Sequence, residues 1–483
     1  MFWRGVWGYL PAQIVQGVVG FLAIIVFTRL LSAEDFGRYA LAFSIFSLTH
    51  VVVFTWLEAA MARFWATETT PQGMAAHFAS LYRAAFVLTA VFVPVAGLLI
   101  WLWPMDPTLK TAVAVGLAGI PVRCLAKLGQ ERRRAAGEVA SAARLDMFLS
   151  IGGLVAGVAL ALAGAGAAAP LAGLLVAPLL ALPFVLPGEV RLGKAGTWEP
   201  TRLLRYARYG YPIAAGLILS LVLASTDRFL LAAFLDEAAV GAYHAGYSIA
   251  NRTLDVLFIW LGAAGTPALI MALERGGAER LRIAAREQGA IFILIGLPAA
   301  VGVALVANPL SEVLIGEDLR GAVSQVTPWI ALSALLSGLC SYYFGQAFVL
   351  SRRTSLLLVT VGVPAVANVI LNLILIPRFG VVGAAWATAA SFAIGLVASV
   401  ILGRGPMAMP VPWTAIGRCG LASGLMTLAV VALPDPGGIA ELILHAGVGS
   451  VVYSVAVIAL NAAGVRDLAM RMIGERRERR AVS

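Results

Sequence analysis

The sequence is poor in charge. Only 12% of its 483 residues are Asp, Glu, Lys or Arg, while 60% are hydrophobic and the mean hydropathy is +0.91. A soluble domain carries about a quarter charged residues. So few charges cannot solubilise a chain this long, and the soluble classes are excluded. Cysteine is scarce too. Cys124, Cys340 and Cys419 all lie inside apolar runs without metal-ligand spacing, so helix packing is their expected role. No zinc pattern and no Ser/His/Asp or Cys/His constellation stands out, so neither an enzyme nor a cofactor is expected. The segment GEVRLGKA (188–195) half-matches a nucleotide-binding loop, but Ala195 replaces the Mg-binding hydroxyl and no strand–helix unit surrounds it. A cleavable signal sequence is not evident either, because the first apolar run follows Arg4 and lacks a small-residue cleavage site.

Long apolar runs are what the chain has in abundance. Stretches such as 17–27 and 356–376 are continuous rather than alternating, which excludes barrel strands and points to helices. Runs bounded by charges, Gly and Pro predict about 14 transmembrane helices: 10–28, 39–62, 84–103, 109–128, 145–163, 171–186, 209–226, 240–261, 288–306, 323–350, 356–376, 381–402, 413–431 and 441–460. The expected fold class is an all-α polytopic membrane protein. With the N-terminus in the cytoplasm, 26 of the 35 Lys and Arg fall in cytoplasmic connections and 6 in outer ones. The other 3, Arg123, Arg252 and Arg418, lie within spans. Dropping one span would put later basic loops on the wrong side. The split therefore predicts both termini in the cytoplasm and explains the net charge of +10 as topogenic, facing anionic membrane lipids. No nucleic-acid partner is needed.

A repeat organises these spans. FGRYALAFSI (36–45) and VGAYHAGYSI (240–249) align without gaps on [FV]-G-x-Y-x-x-[AG]-[FY]-S-I. Each follows a span that ends near an Arg, Arg29 or Arg228, and begins with a Tyr-rich, Pro-bearing entry, GYLP (8–11) or YGYP (209–212). An even number of spans separates the copies, so both halves enter the membrane in the same direction. Such parallel repeats are related by an axis along the membrane normal. The expected organisation is an N-terminal six-helix lobe at 1–196 and a C-terminal six-helix lobe at 197–405. Two extra transmembrane helices and a basic cytoplasmic tail follow at 406–483. Two such lobes across a central cleft are the geometry of alternating access.

Three segments carry a resemblance: TRLLSAEDFGRYALA (28–42), STDRFLLAAFLDEAAVGAYHAGYSIA (225–250) and NVILNLILIPRFGVVGAAWAT (368–388). In them the chain resembles the polysaccharide transporter (O-antigen and exopolysaccharide flippase) family of the multidrug/oligosaccharidyl-lipid/polysaccharide exporter superfamily. The resemblance covers most of the chain to about residue 402. It implies that a polyprenyl-pyrophosphate-linked oligosaccharide is flipped from the cytoplasmic to the periplasmic leaflet of a bacterial inner membrane. That step serves lipopolysaccharide or exopolysaccharide biosynthesis, with glycosyltransferases and a polysaccharide polymerase as partners. A cation-coupled drug exporter of the same fold is the alternative. A membrane glycosyltransferase or polymerase is a weaker one, because the acids at 236–237 and 312–318 sit in short connections.

An ionisable group at a helix centre costs about 2.5–3.5 kcal/mol on insertion scales, so each is a candidate substrate contact. Arg252 and Asp255 share a face of the eighth span, either as a self-neutralising pair or with Asp255 presenting Arg252 to a diphosphate. Arg123 and Lys127 share a face of the fourth span. Lys127 is near enough to the end to snorkel to headgroups, while Arg123 lies a turn deeper. Glu58 is a candidate too, or else a local partner of Arg63. His50 is either a proton relay or packed by a hydrogen bond. Asn368 and Asn372 share a face suited to bonding across helices, and Tyr342, Tyr343 and Gln346 are candidate sugar contacts.

Overall fold

Within hydrocarbon no water is available to the backbone, so every N–H and C=O must be satisfied inside the chain. The computed structural model describes residues 2–353, 355–405 and 407–467, with side chains from residue 11 onward, and contains no strand among them. The basic tail beyond residue 467 and the side chains of the Gly8–Leu10 entry lie outside the described residues. Two compact units emerge, Met1–His244 and Ala245–Ser483.

The first unit holds α1 (Phe2–Leu30), α2 (Ala33–Val53), α3 (Thr55–Phe64), α4 (Pro71–Leu102), α5 (Pro107–Ala135), α6 (Val139–Leu162), α7 (Ala169–Gly193), α8 (Pro200–Phe234) and the start of α9 (Glu237–Leu305). Their beginnings are written locally. Ser32 caps α2 by accepting from the Asp35 N–H, and Thr70 caps α4 just ahead of Pro71. Asp106 accepts from the Thr108 and Leu109 N–H groups ahead of Pro107. Each uses a short polar side chain for an orphan donor, and in the latter two a proline needs no N–H bond. α5 is the central element, packed on α2, α3, α4, α6 and α7.

The second unit continues α9 and adds α10 (Ala307–Leu314), α11 (Arg320–Gly338), a π-helical turn (Leu339–Phe344), α12 (Gln346–Leu350), α13 (Ser355–Leu402), α14 (Trp413–Val431) and α15 (Gly438–Ala459). α9 has 69 residues and α13 has 48, whereas a span needs about 20. Each is interrupted once, at Gly277 (φ 63°) and Gly380 (φ 60°). Positive φ is open to glycine at little cost, so these two positions let one long helix turn back.

Among the described residues, 12 helices are long and apolar enough to cross a membrane. Large apolar side chains point outward along them: Phe184 is 85% exposed and Phe86 74%. In water such surface would be costly, but in lipid it is solvated. This is a multi-pass, all-α membrane protein. Its interfaces rely on small residues, as expected where lipid supplies no hydrophobic drive. Gly153, Gly157 and Gly173 let α6 and α7 approach until backbone meets backbone. Cys124, Cys340 and Cys419 are buried and free, the packing role expected of them.

The two copies of the repeat meet within the first unit. A Cβ on Gly37 would overlap the Glu237 carbonyl and lie 3.1 Å from the Gly241 nitrogen. A Cβ on Gly241 would in turn lie 3.1 Å from the Gly37 nitrogen. The shared glycine of the motif is thus the point of contact between α2 and the first turn of α9. Around it, Phe36 and Tyr39 pack on the His244 ring, and Arg228 donates to Ser44 at 3.2 Å.

Candidate functional site

The first unit gathers four of the six ionisable candidates read from the sequence. The expected span 39–62 is not one helix. α2 stops at Val53, Phe54 leaves the helical path (φ −118°, ψ −23°), and α3 starts at Thr55. Along a straight helix, residues eight apart are about 12 Å apart and cannot touch. The break at Phe54 instead brings His50 Nε2 to 2.9 Å from Glu58 Oε1. His50 and Glu58 therefore pair with each other, replacing the expected Glu58–Arg63 contact; Arg63 is exposed. The other ring nitrogen, His50 Nδ1, is buried with no hydrogen-bond partner among the described residues.

α5 lies against α3 and adds the cations. Arg123 and Lys127, one turn apart, both act electrostatically on the Glu58 carboxylate. Arg123 also sits over the Phe46 ring, 5.6 Å from its centroid. The ring face attracts the guanidinium without neutralising it. Neither Arg123 nor Lys127 has a carboxylate within 4 Å among the described residues. Glu58, which already holds His50, is the acid the two cations share, while Lys127 also feels Asp146 and Glu131 at longer range.

Toward the end of α5 the bookkeeping changes. Arg134 bonds Glu131 and Asp146, each at 2.8 Å, and Gln130 also donates to Asp146. Arg132 donates to Glu189 at 2.9 Å and to Glu138 at 2.5 Å, with Arg133 3.8 Å from Glu189. Glu189 is 1% exposed and tethers α7 to α5. These arginines are structural. Removing one partner of a buried pair costs about 3–5 kcal/mol when the other is left alone. Arg133 stays near Glu189, so Arg132→Ala is expected to cost nearer about 2 kcal/mol. Thermal unfolding in detergent measures it; an unchanged midpoint would mean that Arg132 does not hold α7.

A separate cluster ties α8 to α4 and to the connection just before α4. Arg202 pairs with Glu68 and Glu199, and the Tyr206 hydroxyl lies 2.5 Å from His77 Nδ1. Sequence reasoning missed it because its members come from α8, α4 and the connections that precede them. The small offset of Arg202 and Tyr206, which puts them on one face of α8, was the only local signal.

Arg252 and Asp255 belong to the second unit. They do not form the expected pair: Asp255 accepts from Asn251 Nδ2 at 2.5 Å, and Arg252 is exposed. Asn251, an i−4 neighbour on the same face, was the overlooked partner. Tyr343 cannot touch sugar here. It is fully buried and donates to the Ala285 and Pro410 carbonyls at 2.9 and 2.6 Å. Asn372 donates to Asn368 at 2.9 Å, and Asn368 to Thr388 at 3.3 Å, joining the two arms of α13.

The sequence model of a family described as polysaccharide biosynthesis protein matches residues 26–324, which is more than half of the chain. The chain belongs to this family. It is a polysaccharide transporter family, as the resemblance of the three sequence segments implied. Among the relatives of this chain, a probable low-salt glycan biosynthesis flippase, Agl15 of Haloferax volcanii, is 25% identical over 232 residues. That match takes in 47% of the chain and 48% of the relative, so the chain spans about half the length of the curated protein it matches. The lipid II flippase MurJ, in an inward closed conformation, superposes with a TM-score of 0.78 at 13% identity. The superposition covers 95% of this chain and 99% of MurJ. An inward-facing multidrug resistance transporter of the MATE family gives a TM-score of 0.63 at 16% identity, covering 80% and 94%. At such identities the likeness is one of fold, and the family member has the fold that MurJ and the MATE transporters share.

Proposed function

We propose that this chain is a flippase that carries a polyprenyl-pyrophosphate-linked oligosaccharide from the cytoplasmic to the periplasmic leaflet of a bacterial inner membrane by alternating access. The observation that carries the reading is the charge imbalance at α3 and α5. Arg123 and Lys127 lie inside a span with no carboxylate within 4 Å of either among the described residues; Glu58 is the acid they share, and Lys127 also feels Asp146 and Glu131 at longer range. Burying unneutralised charge costs several kcal/mol, and a bound anion offsets that cost. A diphosphate suits the pair, because guanidinium offers a planar donor fork and ammonium a compact charge. Glu58 then keeps the site from binding its anion too tightly to release, and His50 holds Glu58 in place. Arg252, three residues from Asp255 in the second unit, is kept as a separate candidate cation.

The remaining expectations belong to the same proposal. Reading α9 and α13 as two spans each, divided at Gly277 and Gly380, makes fourteen. Six-span lobes at 1–196 and 197–405, the extension at 406–483 and cytoplasmic termini follow the repeat and the Lys/Arg distribution. Without an ATPase domain in the sequence, an ion gradient, the membrane potential or cargo supply drives transport. Glycosyltransferases would supply the cargo and a polymerase would consume it.

The purified chain in proteoliposomes is expected to move a fluorescent polyprenyl diphosphate oligosaccharide between leaflets, and not its uncharged polyprenol counterpart. The MATE-like fold supports one other reading, a cation-coupled drug exporter. Ion-driven efflux of a cationic dye together with no movement of the diphosphate lipid would favour that reading instead.

A further inference from the structure

The connection between α14 and α15 contains a cluster that none of the preceding argument uses. Asp435 lies in the connection, and Glu441 and His445 stand one turn apart near the start of α15. Their ligand atoms all lie within 4.8 Å of one another. Asp435 Oδ1 is 3.7 Å from His445 Nε2, and Glu441 Oε1 is 3.9 Å from His445 Nδ1. Both separations are too long for hydrogen bonds. The two contacts reach different nitrogens of the same imidazole, and a single ion takes only one of them, so one carboxylate must turn toward the nitrogen that the other shares. Each residue nonetheless offers one ligand atom within 4.8 Å of the other two.

Two of the three ligands are withdrawn from bulk solvent: the Glu441 and His445 side chains are each only 6% exposed. A cation there would neutralise a carboxylate held in a largely buried position. The rest of the cluster is held in place. Glu441 Oε2 accepts from the Gly437 N–H at 3.0 Å, fixing its carboxylate, and Gly438 donates to Glu312 of α10 at 2.8 Å. His445 Nε2 also makes a long hydrogen bond, 3.4 Å, with the Pro434 carbonyl.

We propose that Asp435, Glu441 and His445 form a divalent-cation site of the zinc type, with one imidazole nitrogen and two carboxylate oxygens as ligands and water in the fourth position. One nitrogen with two carboxylates suits zinc better than magnesium or calcium, which take six or more oxygens. The ion fastens the α14–α15 connection onto the first turn of α15, while Glu312 fastens the same connection to α10. Sequence spacing concealed the set: Glu441 and His445 are four apart on a helix, but the third ligand comes from a turn that doubles back.

Zinc ion itself is the probe, added to the tag-free full chain in detergent after chelator treatment. Binding is read by competition with a chromophoric chelator, and thermal unfolding is followed in parallel. One equivalent is expected to bind and to raise the unfolding midpoint, because a ligand of the folded state stabilises it. His445→Gln and Glu441→Gln are each expected to weaken binding at least tenfold. Asp435→Asn, at a side chain that is 80% exposed and so does not disturb folding, is expected to weaken it several-fold. A parent chain with no zinc-dependent shift overturns the site. Unchanged affinity in Asp435→Asn overturns it as well, and decides the matter if the buried variants fail to fold. Neither result bears on the flippase reading, which rests on the first unit.

Discussion

Arg123→Ala is expected to lower transport of the lipid-linked oligosaccharide at least tenfold, and Arg123→Ala with Lys127→Ala to abolish it, with protein amounts unchanged. A charge-assisted hydrogen bond to a buried anion contributes about 1.5–3 kcal/mol. Each 1.4 kcal/mol is about a factor of ten, so one guanidinium removed is one to two orders of magnitude. Folding is spared for a local reason. Glu58 keeps its bond to His50 when Arg123 is removed, so no carboxylate is left alone. Arg123→Lys tests the donor fork apart from the charge and is expected to fall between Ala and the parent. The measurement is surface polysaccharide in a strain that depends on this chain, alongside the proteoliposome assay. Full polysaccharide in both alanine variants would remove the site assignment and leave the fold untouched.

The second large effect is steric. Gly37→Val is expected to cost about 3 kcal/mol or more, at or above the upper end of the usual 1–3 kcal/mol for overpacking. The reason for that placement is what the new atoms meet. They collide with the Glu237 carbonyl and the backbone of Gly241, neither of which can rotate away as a side chain would. α2 and the start of α9 must part, and with them the packing of Phe36 and Tyr39 on His244. Gly17→Val is the control, because a Cβ there meets nothing within 4 Å. Unfolding midpoints of the two variants in detergent make the comparison. Equal midpoints would mean that the repeat's shared glycine is not a packing point.

The class of molecule was legible from composition, and most spans from the apolar runs, because lipid enforces continuous apolar helices whatever their neighbours. Where the expectation of unbroken spans failed, a backbone break was responsible. The span at 39–62 breaks at Phe54, a residue with no turn propensity to announce it. That break makes the His50–Glu58 pair, so the centre of the candidate site could not be found by helical spacing. Arg123 and Lys127 were visible as a pair because i, i+4 spacing is local information. The expected Arg252–Asp255 and Glu58–Arg63 contacts failed for one reason: each acid had a nearer partner, Asn251 or His50, and carried no sign of preferring it.

By itself the sequence determined the solvent this chain lives in, its all-helical class, its internal repeat and the cations it carries into the membrane. Those follow from hydrophobicity, charge and short-range periodicity, which act along the chain. Tertiary structure alone decided which charges are neutralised and which are not. Arg132 and Arg134 resemble Arg123 as letters, yet Glu189 and Asp146, brought in by α7 and α6, satisfy the first two and leave the third available. Electrostatic partnership in a low-dielectric interior depends on separations of a few ångströms between distant segments, and only the packed fold sets those.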